Sequence, residues 1–309
     1  MVARLRIGTR GSPLALAQAR EVRRRLAAVH RDLGEEDVAE IVVIRTTGDR
    51  IQSGPLADIG GKGLFTKEIE DALLSRTVDV AVHSMKDLPT RLPDGLIIAG
   101  LPPREDPRDA LVSAKASSLA GLTEAAVVGT CSLRRRALLL ARRPDLRVVP
   151  LRGNVDTRLR KLADGEVDAT LLAIAGLRRL GRADAAAAVL EPEEFLPAVC
   201  QGAIGIECRA DDRDMCERLA AITDPATRTC VAAERALLAG LDGSCRTPIA
   251  ALAVVEADRV WLRAQIAWPD GSRSLGAERR GPASDAEALG DDAARELRGR
   301  GGPDFFVGA

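Results

Sequence analysis

The run His83-Ser84-Met85-Lys86-Asp87 follows directly on the apolar stretch Val78 to Val82. Functional groups of open α/β sheets gather just beyond the carboxyl ends of strands. A carboxylate at Asp87 could therefore stabilise a cationic intermediate or move protons. Taken alone, Asp87 reads better as the cap of a turn. His83 is a candidate general base, but with only two histidines in the chain a structural imidazole is the plainer reading. Cys245 lies in Asp242-Gly-Ser-Cys-Arg246, a turn-forming loop outside any periodic core element. Its neighbour Arg246 favours the thiolate, which makes Cys245 a candidate for covalent attachment. An ordinary free thiol is the alternative. Cys200, Cys208 and Cys230 lie in or near apolar runs and read as packing.

The arginines form a second pattern. Arg134 and Arg135 stand in the first turn of an expected helix, where a cation opposes the helix dipole at a cost of about 0.3–1 kcal/mol. Arg152 and Arg158 bracket the start of the next helix, Arg10 precedes the helix start at Ser12, and Arg178 and Arg179 follow another strand. Any one of them is adequately explained by pairing with a surface carboxylate. As a group at equivalent strand ends they point to a polyanionic ligand, because guanidinium forks bind carboxylates bidentately and helix N-termini favour anions.

The elements that position these residues follow from apolar periodicity. Leu5 to Ile7 reads as a strand, and Ser12-Pro13 as an N-cap followed by proline at the first helical position. That helix runs to about His30, with a strand at Ile41 to Ile44. Thr46 to Gly63 reads as a long, glycine-rich loop of the kind that serves as a lid. A helix is expected at Leu64 to Ser75, and strands at Val78 to Val82 and Leu96 to Ala99. Prolines in Leu101 to Pro107 mark a linker. A second series then alternates strands at 110–113, 126–128, 148–151 and 169–174 with helices at 132–142, 154–163 and up to 180. A strand at 203–207 and helices at 212–222 and 224–241 follow. The end of the chain reads as two strands (249–255, 260–266) and a helix (284–298), a small α+β segment. The fold class expected is α/β: two mainly parallel, doubly wound domains, with a site in the cleft between them, and a small α+β domain.

Bulk composition narrows the function classes. Lys plus Arg equals Asp plus Glu at 45 each, so there is no basic excess of the kind a nucleic-acid binder shows. Aromatics are 2%, too few for base-stacking platforms. No apolar run approaches a membrane span, and Met1 to Gly11 has none that suits a signal peptide, so the expected location is cytoplasmic. With six cysteines, no CxxC pair and two histidines, no metal site is expected.

The motifs occur as an ordered set: Ile7-Gly-Thr-Arg-Gly-Ser-Pro-Leu-Ala15, Gly60-Gly-Lys-Gly-Leu-Phe65, Val82-His-Ser-Met-Lys-Asp-Leu-Pro89, Arg104-Glu-Asp-Pro-Arg-Asp109, Gly129-Thr-Cys-Ser-Leu-Arg-Arg135, Leu151-Arg-Gly-Asn154, Ala175-Gly-Leu-Arg-Arg-Leu-Gly181, Leu196-Pro-Ala-Val-Cys-Gln-Gly202 and the Gly-Ser-Cys loop. In this order the chain resembles the hydroxymethylbilane synthase (porphobilinogen deaminase) family, from Leu5 to about its end. The resemblance implies two lobes like those of periplasmic binding proteins, residues 1–102 with 203–222 and residues 103–202, and a third domain, 223–309. It implies a transferase that condenses four porphobilinogen molecules onto a covalent dipyrromethane primer, releasing ammonia each time, then hydrolyses off the linear tetrapyrrole. Cys245 matches the thioether attachment residue and Asp87 the catalytic carboxylate. Arg10, Arg134, Arg135, Arg152, Arg158 and Arg179 match carboxylate-binding positions, assisted by Ser12, Lys86 and Ser132. Lys62, Phe65, Ser84 and Gln201 fall at lid or supporting positions. A monomer is implied, with neither nucleic acid nor membrane as partner. The chain departs from the pattern at Cys131, where relatives commonly carry a small hydroxyl residue, at Asp58, where some carry Lys, and at Ser244, where Gly is commoner. Each pyrrole bears an acetate and a propionate, so a growing chain is a dense polycarboxylate, which suits clustered arginines in a neutral protein.

Two other classes compete. A two-lobed receptor for a small dianion needs neither Asp87 nor a loop cysteine, and would be colourless and free of bound pyrrole. A nucleic-acid binder predicts steep salt dependence and sits poorly with the balanced charge.

Overall fold

A computed structural model describes residues 5–29, 39–50, 66–242, 247–302 and 305. The chain divides into two compact units, residues 1–105 with 203–228, and residues 106–202 with 229–309. In chain order the first stretch comprises β1 (Leu5–Thr9), α1 (Pro13–Val29), β2 (Ala39–Val43), α2 (Thr47–Arg50), α3 (Lys67–Leu74), β3 (Val80–Ser84) and β4 (Leu96–Gly100). The second unit begins with β5 (Asp109–Val112), β6 (Val127–Gly129), α4 (Leu133–Arg142), β7 (Arg147–Val149), α5 (Val155–Ala163), β8 (Ala169–Ala173), α6 (Ile174–Arg179) and β9 (Ala188–Val189). The chain returns to the first unit for β10 (Ile204–Arg209) and α7 (Arg213–Ala220), then finishes with α8 (Pro225–Gly240), β11 (Ile249–Glu256), β12 (Arg259–Ala267), β13 (Ser274–Pro282) and α9 (Ala286–Gly301).

The two lobes repeat one plan. Their five-stranded sheets have the orders β2-β1-β3-β10-β4 and β7-β6-β8-β5-β9. In each, three parallel strands are followed by an antiparallel one and an edge strand. The fold is the expected α/β one with a small C-terminal α+β part; in each lobe four strands run one way and a single strand, β10 or β5, runs against them. β5 and β10 are the strands by which the chain enters a sheet from the other unit, so no βαβ crossover sets their direction.

Strands buried on both faces explain the near-continuous apolar runs. In the first unit Ile7, Val80, Val82, Ile204 and Ile206 meet Val22 and Leu26 of α1 and Leu219 of α7, while Val78 and Ala81 meet Ile69 and Leu73 of α3 on the other face. In the second, Leu111, Val128 and Leu171 pack with Leu138 and Leu139 of α4, and Ala250 and Leu252 of β11 join the same core. Glu234 of α8 ties this region together from within. It is fully buried, and its carboxylate accepts the backbone N–H of Ala253 at 2.8 Å and that of Cys200.

Helix starts follow local chemistry. Ser12, Ser132, Asn154 and Asp212 each accept a backbone N–H three residues on, satisfying one of the orphan donors of the first turn. The C-terminal sheet has three strands where two were expected. β13 reads Ser-Leu-Gly-Ala-Glu-Arg-Arg-Gly-Pro, without a β-branched residue, and its pairing with β12 overrides that weak propensity. Of the expected loop from Thr46, residues 47–50 form a helical turn. Asp58, Lys62 and Phe65 lie outside the described residues, as do Ser244, Cys245 and Arg246.

Candidate functional site

β1 and β3 run parallel, so the segments leaving their carboxyl ends share one edge of the first unit's sheet. From β1 come Arg10 and the α1 N-cap Ser12; from β3 come Ser84 and a single 3-10 turn, Met85–Asp87. Together Arg10, Ser12, Gln18, Thr66, His83, Ser84 and Asp87 line one pocket. Asp87 is exposed, Lys86, Arg10 and Ser84 are half-buried, and the intervening Met85 is buried at 1% exposure. Met85 anchors the turn. Its backbone N–H donates to Ala203 O at 3.0 Å, and its sulfur fills the space that a side chain at Gly205 would need. The absence of a side chain at 205 thus lets β10 accept the turn that carries Asp87.

Gln18 is a site residue that pattern reading missed. It lies on the buried face of α1 with Ala15, Ala19 and Val22, and its amide donates to Ser84 Oγ at 2.8 Å. The signal was a polar residue in an apolar stripe, which must find a partner when buried.

In the second unit β6, β7 and β8 are parallel, and Ser132, Arg152, Arg158 and Arg179 follow their carboxyl ends. Ser132 caps α4. Arg158 donates from Nε to Gly153 O at 2.8 Å, and Arg179 donates to Gly202 O at 3.1 Å. Arg152 is half-buried on the loop after β7.

Arg134 and Arg135 sit differently. Both are buried, and both pair with Asp109, itself fully buried at the start of β5. Arg134 reaches Asp109 Oδ2 at 2.7 Å and Leu196 O at 2.8 Å. Arg135 reaches Asp109 Oδ1 at 2.6 Å and Leu171 O at 2.8 Å. Gln201 completes the group, donating to Asp109 Oδ1 at 3.1 Å and Pro107 O at 2.8 Å. Burial opposes the charged form of Asp109, but the Arg134 and Arg135 guanidiniums and the hydrogen bonds outweigh it and hold this carboxyl well below its ordinary range. The anion these first-turn arginines require is thus supplied in part from inside the protein. Two guanidiniums against one carboxylate leave one positive charge at the α4 N-terminus. Asp109 was visible in the Arg104–Asp109 motif; its pairing with residues 25 positions on was not.

Among the described residues Cys131, Cys208 and Cys216 carry free thiols. Burial, aided by Cys216, pushes the Cys208 thiol up to about 12, which keeps it protonated and suits a packing role. No helix among the described residues is long and apolar enough to cross a membrane.

This donor set suits a ligand that carries carboxylates and N–H groups together. In the first unit an arginine and hydroxyl donors line a pocket with one exposed carboxylate acceptor; the second unit has its own arginines beyond the carboxyl ends of its strands. Comparison with known proteins agrees in kind. Residues 5–217 match the family described as "Porphobilinogen deaminase, dipyromethane cofactor binding domain", and residues 228–299 match "Porphobilinogen deaminase, C-terminal domain". A porphobilinogen deaminase from Paracoccus denitrificans is 59% identical over 98% of this chain and 96% of its own length. A chloroplastic porphobilinogen deaminase from Oryza sativa subsp. japonica is 55% identical over 99% and 86%. Among solved structures, a periplasmic substrate-binding protein of an ABC transporter from Coxiella burnetii is 18% identical over 73% of this chain and 94% of its own, with a TM-score of 0.44.

Proposed function

The chain belongs to the porphobilinogen deaminase family, and from that premise we propose how its residues divide the work of hydroxymethylbilane synthesis. The enzyme is a transferase of tetrapyrrole biosynthesis that condenses four porphobilinogen molecules on a dipyrromethane cofactor and releases the linear tetrapyrrole. The bound dipyrromethane supplies the first two rings of the growing chain. The observation that carries the reading of the site is Asp87, an exposed carboxylate presented on an anchored turn beside Arg10, Ser12 and Ser84.

In this reading Asp87 accepts hydrogen bonds from pyrrole N–H groups. It also stabilises the positive charge that develops as ammonia leaves, an electrostatic contribution strongest where the carboxylate is already in place. Arg10, Lys86 and Ser12 hold acetate and propionate groups at the same edge. Arg152, Arg158, Arg179 and Ser132 do so from the second unit. Arg134 and Arg135 act on the same carboxylates through the net positive charge that their pairing with Asp109 leaves. Ser84 and Gln201 are supports, the first for the Asp87 strand and the second for Asp109. Lys62 and Phe65 serve at the lid, and Cys245 is the thioether attachment residue. The chain is read as domains 1–102 with 203–222, 103–202 and 223–309, working as a cytoplasmic monomer without nucleic-acid or membrane partners.

Intact-protein mass spectrometry beside Cys245→Ala tests this. The expected result is an excess over the sequence mass equal to two pyrrole units, present in wild type and lost in the variant. A wild type that stays at its bare mass after incubation with porphobilinogen would overturn the reading.

A further inference from the structure

Behind the pocket of the first unit lies a group of buried polar side chains that this reading leaves unused. His83 of β3 borders the pocket, and so does Thr66 at the start of α3. Glu207 lies on the adjacent strand β10, paired with Ala81, while Gly205 pairs with His83. Glu70 comes from α3, which packs on this sheet. The His83 and Glu207 side chains are 4% and 0% exposed, and His83 Nε2 lies 3.1 Å from Glu207 Oε2.

Thr66 Oγ1, Glu70 Oε1, His83 Nε2 and both carboxylate oxygens of Glu207 are buried without an aligned partner among the described residues. A buried polar atom left without a hydrogen bond keeps the full penalty of its lost hydration. The carboxylate oxygens are acceptors, so what the group needs is protons. No set of three or more His, Cys, Asp or Glu among the described residues is arranged to hold a metal ion instead. The available donors are the His83 N–H, the Thr66 hydroxyl and, in its protonated form, Glu70. Burial pushes the Glu70 carboxyl up, opposed by the Thr66 hydroxyl and reinforced by Glu207, which favours its protonated form.

We propose that His83, oriented by Glu207, is the proton-transfer group on the wall of the Asp87 pocket, with Glu70 and Thr66 supplying the hydrogen bonds that keep Glu207 in place. The proposal rests on the function given above. A small rotation of the ring aligns Nε2–H with Glu207. A buried carboxylate that holds one imidazole N–H fixes the tautomer and leaves the other nitrogen, Nδ1, as the base. Each condensation breaks one C–N bond, whose electron pair leaves with ammonia, and forms one C–C bond. It also breaks one ring C–H bond, whose pair stays with the ring. His83 Nδ1 accepts that proton and passes it to the ammonia, which departs as ammonium, so the imidazole ends each cycle neutral. The charged and titratable groups around the ring are Glu207 from β10, Glu70 from α3, and Asp87 and Arg10 bordering the pocket.

The chain holds only His30 and His83, so His30→Gln leaves a single imidazole to observe. Nitrogen-15 NMR of that protein is expected to show the neutral Nε2–H tautomer at pH 8. Adding Glu207→Gln should mix the tautomers. In a porphobilinogen consumption assay, His83→Asn should lower kcat about 100-fold with KM little changed. An Nδ1–H tautomer, a spectrum indifferent to Glu207→Gln, or a folded His83→Asn enzyme with wild-type kcat would each overturn the proposal. The spectrum needs no substrate and the single-histidine protein leaves the cluster intact. A parent enzyme inert toward porphobilinogen therefore counts against the function, while the tautomer separately decides the role of His83.

Discussion

Asp87 and Asp109 show how one residue type serves two purposes according to its surroundings. Asp87 is exposed at a pocket edge, and its removal leaves no buried partner unsatisfied among the described residues. Asp87→Ala is therefore expected to keep the circular-dichroism spectrum and Tm of the parent while lowering turnover at least about 100-fold. Near-normal turnover would remove Asp87 from the mechanism. Asp109 is sealed between two guanidiniums, and losing its charge strands both. Asp109→Asn should cost about 3–5 kcal/mol of stability in urea unfolding at pH 7. The sign of the pH effect follows from a carboxyl held below its ordinary range. The stability from Asp109 is complete above the unfolded carboxylate pKa of about 4 and is lost as the pH falls from there toward the folded value. The gap between wild type and Asp109→Asn should therefore narrow as denaturation curves are taken from pH 5 downward, and a gap that stays constant would disprove the linkage.

At the level of elements, the turn after β3 is positioned by what β10 lacks. The Met85 sulfur occupies the space of a Gly205 side chain, and Gly205 has no positive φ that would require glycine for backbone reasons. Gly205→Ala should thus act through overpacking alone, at about 1–3 kcal/mol, and should displace Met85 and with it the Lys86–Asp87 turn. The expected result is a fall in kcat larger than the loss of stability explains, measured at a temperature where the variant is fully folded. Met85→Ala in the Gly205→Ala background should restore much of the lost stability; failure to do so would refute the steric account. The arginine-bearing turns of the second unit have local determinants instead. Asn154 caps α5, and Gly153 has φ 121°, a left-handed conformation that side chains rarely adopt.

On the scale of the whole molecule, neither unit is a contiguous stretch of chain. β10 sits between β3 and β4 and contributes Ile204, Ile206 and Cys208 to the first unit's core. A chain ending at Glu105 should therefore fail to fold, judged by far-ultraviolet circular dichroism and cooperative urea unfolding, whereas one in which a short linker joins it to residues 203–228 should unfold cooperatively. A folded, cooperative 1–105 fragment would contradict the role given to β10. This return of the chain also bounds what the linear pattern could convey. Buried runs such as Val78 to Val82, the cap at Ser12, the helix starts at Ser132 and Asn154, and the alternation of strands and helices were legible because each depends on neighbours within a few residues. So was the ordered set of motifs that identifies the family, since motif order is itself a property of the chain. β13 was not legible, because its residues form a strand only where β12 offers an edge. The antiparallel course of β5 and β10, the enclosure of Arg134 and Arg135 around Asp109, the Gln18–Ser84 contact and the approach of Glu207 to His83 were hidden for the same reason. Each joins residues between 25 and about 125 positions apart in the chain, and side-chain burial and charge pairing at that range are set by packing in three dimensions, which no local propensity encodes.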